Sequence, residues 1–414
     1  MDLTPATPAS VEEHLATVLA AARPLPSLVV PVADAAGATL AAAATATVDL
    51  PPFENSAMDG FAVRAIDVAD ATAAAPVSLR VVGDLPAGSA DDPRLEAGEA
   101  VRIMTGSPVP SGADTVVPFE DTVGGLADSL DRAVVRSAPR CPGAHVRRRG
   151  EDTVRGDVVL AAGVPLGPLQ LGALAAAGIA HVEVTRAPRV VVVSTGSELV
   201  PVGQPLQRGQ IPESNGTLLA AQVASAGARV VRRAVVDDEG ATLALLLAEV
   251  TAGPDAADVV VFTGGVSAGA YEVVRQTVTQ MRFGPVAMQP GKPQGFGVAG
   301  DTLLFGLPGN PVSAAVSFEV FVRPALLALQ GRTDLHRPVL RMPAAAGWRT
   351  PPARRQYLPV RVDRSEPAGW LAVPASAGGS HLAGRLGGAD GYAVVPADVE
   401  TVAAGDLVDV MLID

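Results

Sequence analysis

The sequence predicts a multidomain α/β protein: a central domain built on a parallel sheet wrapped by helices, an N-terminal helical linker with an inserted β-subdomain, and a small C-terminal β-barrel domain. Three observations carry this expectation. A chain of 414 residues with 48% apolar side chains exceeds what one hydrophobic core usually supports. Between residues 189 and 329, continuous β-branched runs alternate with segments of helical period, the pattern of strands buried on both faces. On either side, short strand-like runs are broken by Gly, Pro and Asp. The resulting division is 1–50 with 146–186 for the linker, 51–145 for the insert, 187–331 for the α/β domain and 332–414 for the β-domain.

Ser10 and Glu13 make a capping-box pattern ahead of apolar residues at helical spacing, so a helix opens the fold and runs to about Arg23. From Val48 to Arg140 the runs SLRVVGDL, EAVRIMTG and DTVVPFED read as strands, and LGPLQLGALAAAG returns to helix. In the centre, RVVVVS, RVVRRAVV and DVVVFT are strands, alternating with the helices SNGTLLAAQVASAG and DDEGATLALLLAEVTAG. PVAMQP, QGFGV and TLLFGLP follow, then a long helix from Pro311 to about Leu329. The polar, glycine-rich turns STGSEL, TGGVSAG and GLPGN all leave apolar strands at their carboxyl ends, where open α/β sheets bind ligands.

Charge and cysteine content narrow the function classes. With 31 basic against 43 acidic residues, a net of −12, the chain lacks the excess of cations that a broad nucleic-acid surface requires. Cys141 is the only cysteine, which excludes an intrachain disulfide and a cysteine-cluster metal site and fits a reducing, cytoplasmic setting. Neither a signal-peptide pattern nor a membrane-spanning stretch is expected. The five histidines, at 14, 145, 181, 336 and 381, show no metal-ligand spacing. Of the 31 basic residues 30 are arginine, so Lys292 is the only ammonium side chain, and a compact ammonium is not equivalent to a planar guanidinium at a tight site.

The motifs permit phosphate chemistry without requiring it. Gly264, Gly265 and Gly269 with Ser267, after a buried strand, can bring backbone amides and a helix N-terminus to an anion. Equally, such glycines can serve backbone geometry alone. Glu272 can be a reactive acid or a favourable charge in a first helical turn. In GLPGNPVS, two prolines bracket Gly309 and Asn310 ahead of a helix start, with Ser313 facing the same way. PGKP holds Lys292 on a short stiff loop where it can meet an oxyanion. Asp59, Asp152, Glu198 and Asp237 sit at loop ends; together they would suit a hard cation such as Mg²⁺, while singly Asp237 reads as a cap and Asp152 as a partner of Arg147 to Arg149.

Seven ordered segments, PPFENSAMDGFAVR, VRIMTGSPVPSGADTVVPFED, RRRGEDTVRGDVVLAAG, VVVVSTGSELVPVG, TGGVSAG, QPGKPQGFG and GLPGNPVSAAVSFEVFVRPAL, resemble the molybdopterin molybdenumtransferase family, MoeA in bacteria and the E domain of gephyrin in animals. The resemblance implies a four-lobed protomer with a molybdopterin-binding-like α/β domain, working as a two-fold homodimer. Its activity would be insertion of molybdate into adenylylated molybdopterin with Mg²⁺-dependent release of AMP, in cooperation with other molybdenum cofactor biosynthesis proteins. It implies a cleft shared between the α/β domain of one subunit and the β-subdomain of the other. Asp59 and Thr105 would come from the partner side with Asp152 nearby. Glu198, Asp237, Gly264, Gly265, Ser267, Gly269, Arg275, Lys292, Pro308, Gly309, Asn310, Pro311 and Ser313 would belong to the pterin-phosphate and molybdate pocket, and Glu198, Asp237 and Glu272 would be metal ligands. Asp59, Asp152, Glu198, Glu272 and Lys292 are the expected catalytic set. The chain departs from the family at Glu272, where aspartate is usual and Val273 replaces tyrosine, at Ser197, where an acid is common, and at Arg275, where lysine is typical. Two alternatives stand beside this reading: the preceding adenylyltransferase step, which would not need the long N-terminal half, and a non-catalytic binding or scaffold protein.

Overall fold

The computed structural model describes residues 7–127, 129–267, 272–365, 369–375 and 382–413. Its central sheet runs, from edge to edge, Arg229–Val236, Arg189–Thr195, Val259–Thr263, Thr302–Leu307, Pro293–Ala299, Met281–Pro285. The first four strands are parallel, and the last two are antiparallel. That antiparallel edge follows from chain length: only Gly300 and Asp301 separate Pro293–Ala299 from Thr302–Leu307, enough for a hairpin and too few for a crossover.

Side chains alternate across this sheet, and each set has its own helical layer. Val190, Val192, Val259, Val261 and Phe305 face one way and pack with Leu219 and Val223 of the helix Asn215–Ser225 and with Phe318 and Phe321. Val191, Val193, Val260, Phe262 and Leu304 face the other way, onto Leu243, Leu246, Leu247 and Val250 of Gly240–Val250. Those four leucine and valine positions repeat at i, i+3, i+4 and i+7, while Leu245 on the opposite side is 74% exposed. Burial on both faces explains why the central strands read as uninterrupted apolar runs.

The stretch Pro311–Leu329 is helical throughout, but Phe318–Val322 is a π-helical turn between Pro311–Ser317 and Arg323–Leu329. Pro324 has no N–H and its ring would crowd the carbonyl four residues earlier, so the turn widens; Arg323 N donates to Phe318 O, five residues back. Apart from Ser313, Ser317, Glu319 and Arg323 the helix is apolar, in keeping with its burial in the protein.

At the N-terminal end, Ser10 and Glu13 form the reciprocal capping box, Ser10 N to Glu13 Oε2 at 2.7 Å and Glu13 N to Ser10 Oγ at 3.1 Å. The helix they start, Val11–Ala21, buries Val11 and Val18 in the core of the central domain. By packing, it belongs with that domain and not with the linker in which its position in the chain places it. The linker has a separate core: a three-stranded sheet of Ser27–Pro31, His181–Thr185 and Thr39–Leu40, and the helix Pro168–Ala176, around Val32, Leu40, Leu166, Leu174 and Val184. In sequence between Thr39–Leu40 and Pro168–Ala176 comes a six-stranded sheet, Thr115–Pro118, Gly60–Val63, Glu99–Ile103, Val77–Leu85, Arg132–Val135, Thr122–Val123, with one apolar cluster around Phe61, Leu79 and Val117 and another around Ala62, Val101 and Val116.

The C-terminal β-domain encloses Met342, Leu358, Val360, Ala393 and Val410. Its sheet takes in a short strand from the central domain, Met288–Gln289, paired in parallel with Arg355 and Gln356. That pairing holds the start of the loop that carries Lys292.

Candidate functional site

Three adjacent parallel strands end at the same edge, and their turns enclose a cleft of ≈ 1060 Å³. Ser194 to Glu198 leave the first strand, Thr263 to Ser267 the second, and Pro308 to Asn310 the third; the loop Gln289–Pro293 closes the wall. Two helices begin there, at Asn215 and Pro311, and their dipoles favour an anion, although Gly216 N in the first turn of one is already taken by the Glu213 carboxylate.

Gly264 and Gly265 have φ of +89° and +64°. A Cβ on Gly264 would meet Thr195 O at 2.7 Å, and one on Gly265 would lie 3.0 Å from Thr195 Oγ1. These two glycines are thus required by a left-handed turn packed against the neighbouring strand end, the backbone-geometry explanation, although both also line the cleft. Glu272 precedes the helix Val273–Thr277, and its Oε2 accepts from Ser267 N at 2.6 Å. The amide of Ser267, which could have met an external anion, therefore carries an internal carboxylate. Arg275 is not in the cleft wall; it braces the turn by donating from Nη1 to Ser267 O at 3.2 Å and from its backbone N to Gly265 O at 3.1 Å. Gly269 lies outside the described residues.

Lys292 is exposed and lines the cleft. Its loop is pinned from inside: Gln294, 2% exposed, donates from Nε2 to Gly291 O and Ser317 Oγ, both at 2.7 Å, and Val286 N donates to Lys292 O at 2.7 Å. Pro308, Gly309, Asn310, Pro311 and Ser313 all line the cleft, as does Glu198. Asp237 does not: it is exposed and its Oδ1 accepts from Glu239 N at 3.1 Å, the local capping alternative. The acid that turns into the cleft is its neighbour Asp238, which accepts from Ser197 Oγ at 2.8 Å. An acid from another strand end thus stands beside Ser197.

Sequence reasoning passed over three more residues in the wall. Glu213, 6% exposed, accepts from Ser194 Oγ at 2.8 Å and Gly216 N at 2.6 Å, with Arg233 at 3.5 Å. Asn215 bridges Thr263 Oγ1 and Gly309 O. Gln289 accepts from Arg354 Nη1 of the C-terminal domain at 2.7 Å. The signal available for the first two was PESN, a polar cluster just before an apolar helix, which reads equally as a helix start.

Among the described residues the cleft wall carries four carboxylates, Glu198, Glu213, Asp238 and Glu272, and one ammonium, Lys292. A polyanionic ligand would be repelled by that balance unless a cation accompanied it. Among the described residues no three His, Cys, Asp or Glu side chains form a metal-holding group.

Asp59, Thr105 and Asp152 lie on the N-terminal portion and do not line this cleft in the single chain. Asp59 and Thr105 are nonetheless a unit: Thr105 donates to Asp59 Oδ1 from Oγ1 at 2.7 Å and from N at 2.6 Å, and these bonds hold the Asp59 carboxyl below its ordinary pKa. Asp152 is exposed and does not take the arginines beside it; Arg148 pairs with Glu54 and Arg149 with Asp49.

Comparison with known proteins covers nearly the whole chain. Residues 9–178 match the MoeA N-terminal region (domain I and II), 191–328 a "probable molybdopterin binding domain" and 341–413 the MoeA C-terminal region (domain IV). Molybdopterin molybdenumtransferase 2 of Mycobacterium tuberculosis is 43% identical over 405 residues, 96% of this chain and 97% of that one. A molybdopterin molybdenumtransferase of Staphylococcus aureus is 30% identical over 410 residues, 98% and 96% of the two chains. The crystal structure of a molybdopterin biosynthesis MoeA protein from Pyrococcus horikoshii superposes with a TM-score of 0.80 at 32% identity, covering 99% of this chain and 100% of that one.

Proposed function

Because the chain belongs to the MoeA family of molybdopterin molybdenumtransferases, we propose that it inserts molybdate into adenylylated molybdopterin and releases AMP, in the cleft at the carboxyl edge of the central sheet. The observation that carries the reading is convergence. Three strand-end turns, two helix N-termini and the chain's single lysine, drawn from separated segments, meet in one cavity large enough for a pterin nucleotide.

The chain's contribution is positioning and charge balance. The helix start at Pro311, with the buried Ser313, faces oxyanions of the substrate, and Lys292 on its pinned loop neutralises a phosphate or the molybdate oxygens. Glu198 and Glu272 would hold Mg²⁺, which supplies charge neutralisation at the phosphoanhydride when bound. Glu272 also fixes the Ser267 turn, so its longer side chain still spans to that amide where the family usually has aspartate. The dithiolene that receives molybdenum belongs to the substrate.

Asp59, Thr105 and Asp152 complete the site in this reading by arriving from the second subunit of a homodimer. Their distance in sequence from the cleft residues and the pre-ordered Asp59–Thr105 pair support that arrangement. The setting is cytoplasmic, and the substrate comes from, and the product goes to, other molybdenum cofactor biosynthesis proteins. The adenylyltransferase alternative is disfavoured because the MoeA likeness extends over the N-terminal and C-terminal regions as well as the central domain. Incubating the purified chain with adenylylated molybdopterin, Mg²⁺ and molybdate should release AMP and reconstitute an apo-molybdoenzyme. Binding without AMP release would leave a scaffold in its place.

A further inference from the structure

Turns from different strands of the cleft meet at one buried side chain. Asn215 is 8% exposed, and its Nδ2 donates to Thr263 Oγ1 at 2.9 Å and to Gly309 O at 2.7 Å. Thr263 Oγ1 donates to Pro308 O at 3.1 Å, and Thr195 Oγ1 donates to Thr263 O at 3.5 Å. Both amide hydrogens of Asn215 are therefore committed, which settles the orientation of the amide, and Oδ1 is buried with no partner among the described residues. A side chain kept in place wholly by donation, with its acceptor unsatisfied, is not there to maximise stability. What it joins is specific: the turn at Thr263–Gly265 and the turn at Pro308–Asn310 are neighbours, a Cβ on Gly309 lying 3.4 Å from Gly264 Cα. Both turns line the cleft.

We propose that Asn215 is a positioning residue for the reaction: its two donated hydrogen bonds set the spacing between the Thr263–Gly265 and Pro308–Asn310 turns, and through it the seat of the pterin nucleotide's phosphates beside Lys292 and Ser313. The inference rests on the assignment of this cleft as the substrate site. Ordinary helix initiation does not account for the geometry, because the amide reaches across to two other segments and not to the amides of its own helix. Thr263 is the second half of the device, as acceptor from Asn215 and donor to Pro308.

The test uses the full chain with Asn215→Leu, which keeps the shape and removes both donors, Thr263→Val, which keeps the amide and removes the hydroxyl, the double variant, and Thr263→Ser as the conservative control. AMP release is followed with adenylylated molybdopterin varied at saturating molybdate and Mg²⁺, and the melting midpoint is recorded alongside. Each single variant is expected to raise KM for the pterin nucleotide about tenfold or more while kcat changes much less. The double variant should be no worse than the poorer single one, since both break the same link, and Thr263→Ser should stay near the wild type. If Asn215→Leu does not fold, Thr263→Val gives the same reading on an intact amide. An unchanged KM, additive losses, or losses that merely follow the melting midpoint would overturn the proposal. A wild-type chain that releases no AMP would instead overturn the assignment of the cleft.

Discussion

His14 should make the protein lose stability on mild acidification, by an amount the structure allows one to work out. It lies on the first helix with its ring edge-on to Phe321, centroids 4.6 Å apart, and to Phe296 at 6.5 Å. Burial lowers its pKa from 6.5 to about 4, because a charged imidazolium between phenyl rings loses its water. The folded state therefore binds fewer protons than the unfolded state between those two values. The stabilising contribution of the neutral ring is complete above about pH 6.5 and disappears as pH falls through 4. A displacement of this size corresponds to about 3 kcal/mol at most, nearer 2 once partial exposure is allowed for. Replacing His14 by Phe should flatten the dependence: wild type and variant should diverge with a slope approaching about 1.4 kcal/mol per pH unit between pH 6 and 4.5. Urea unfolding by far-ultraviolet circular dichroism is the suitable assay. Trp348 and Trp370 both lie in the C-terminal domain and would report on the wrong part of the chain. Parallel curves for the two proteins across that pH range would refute the reasoning.

Three further outcomes can be checked. Lys292→Arg keeps the charge but replaces a compact head with a planar fork on a pinned loop. It should lower kcat/KM for AMP release by about ten- to a hundredfold, the range of one charge-assisted contact, with stability changed by about 0.5 kcal/mol or less; equal activity would remove the argument from the single lysine. Gln294→Leu leaves Gly291 O and Ser317 Oγ without their buried donor and should cost about 1–3 kcal/mol in urea unfolding, with a loss of turnover that Lys292→Arg would not deepen additively. Phe262→Ala, on a strand buried from both sides, should destabilise by about 3–5 kcal/mol in the same unfolding assay.

The sheet was legible because its physics is written locally. RVVVVS and DVVVFT are buried on both faces, so no polar residue interrupts them, and Leu243, Leu246, Leu247 and Val250 spell out a helix face. The position of the cleft was legible for a related reason: turns rich in Gly and Pro stand out after such strands. What could not be read is direction within a turn. Asp237 and Asp238 are equivalent in sequence, and only the folded turn sends one to the backbone of Glu239 and the other to Ser197. Glu213 and Asn215 were hidden because an acid and an amide before a helix are what any helix start looks like. The packing of the first helix on the central domain was equally out of reach, since an amphipathic stripe states that a partner exists without naming it.

The two-residue strand Met288–Gln289 has a consequence for how the molecule could be shortened. It is laddered to Arg355 and Gln356, and Arg354 reaches Gln289 besides, only three residues ahead of Lys292. Cutting away the C-terminal portion would thus remove the outer of two supports of the lysine's loop, leaving the inner one at Gln294 and Val286, even though every cleft-lining residue stayed in the remaining piece. The terminal lobe acts as a buttress for one wall of the cleft, and a piece ending near residue 331 should hold its sheet and the inner pins of the lysine's loop while the Met288–Gln289 end of that loop loses its outer support.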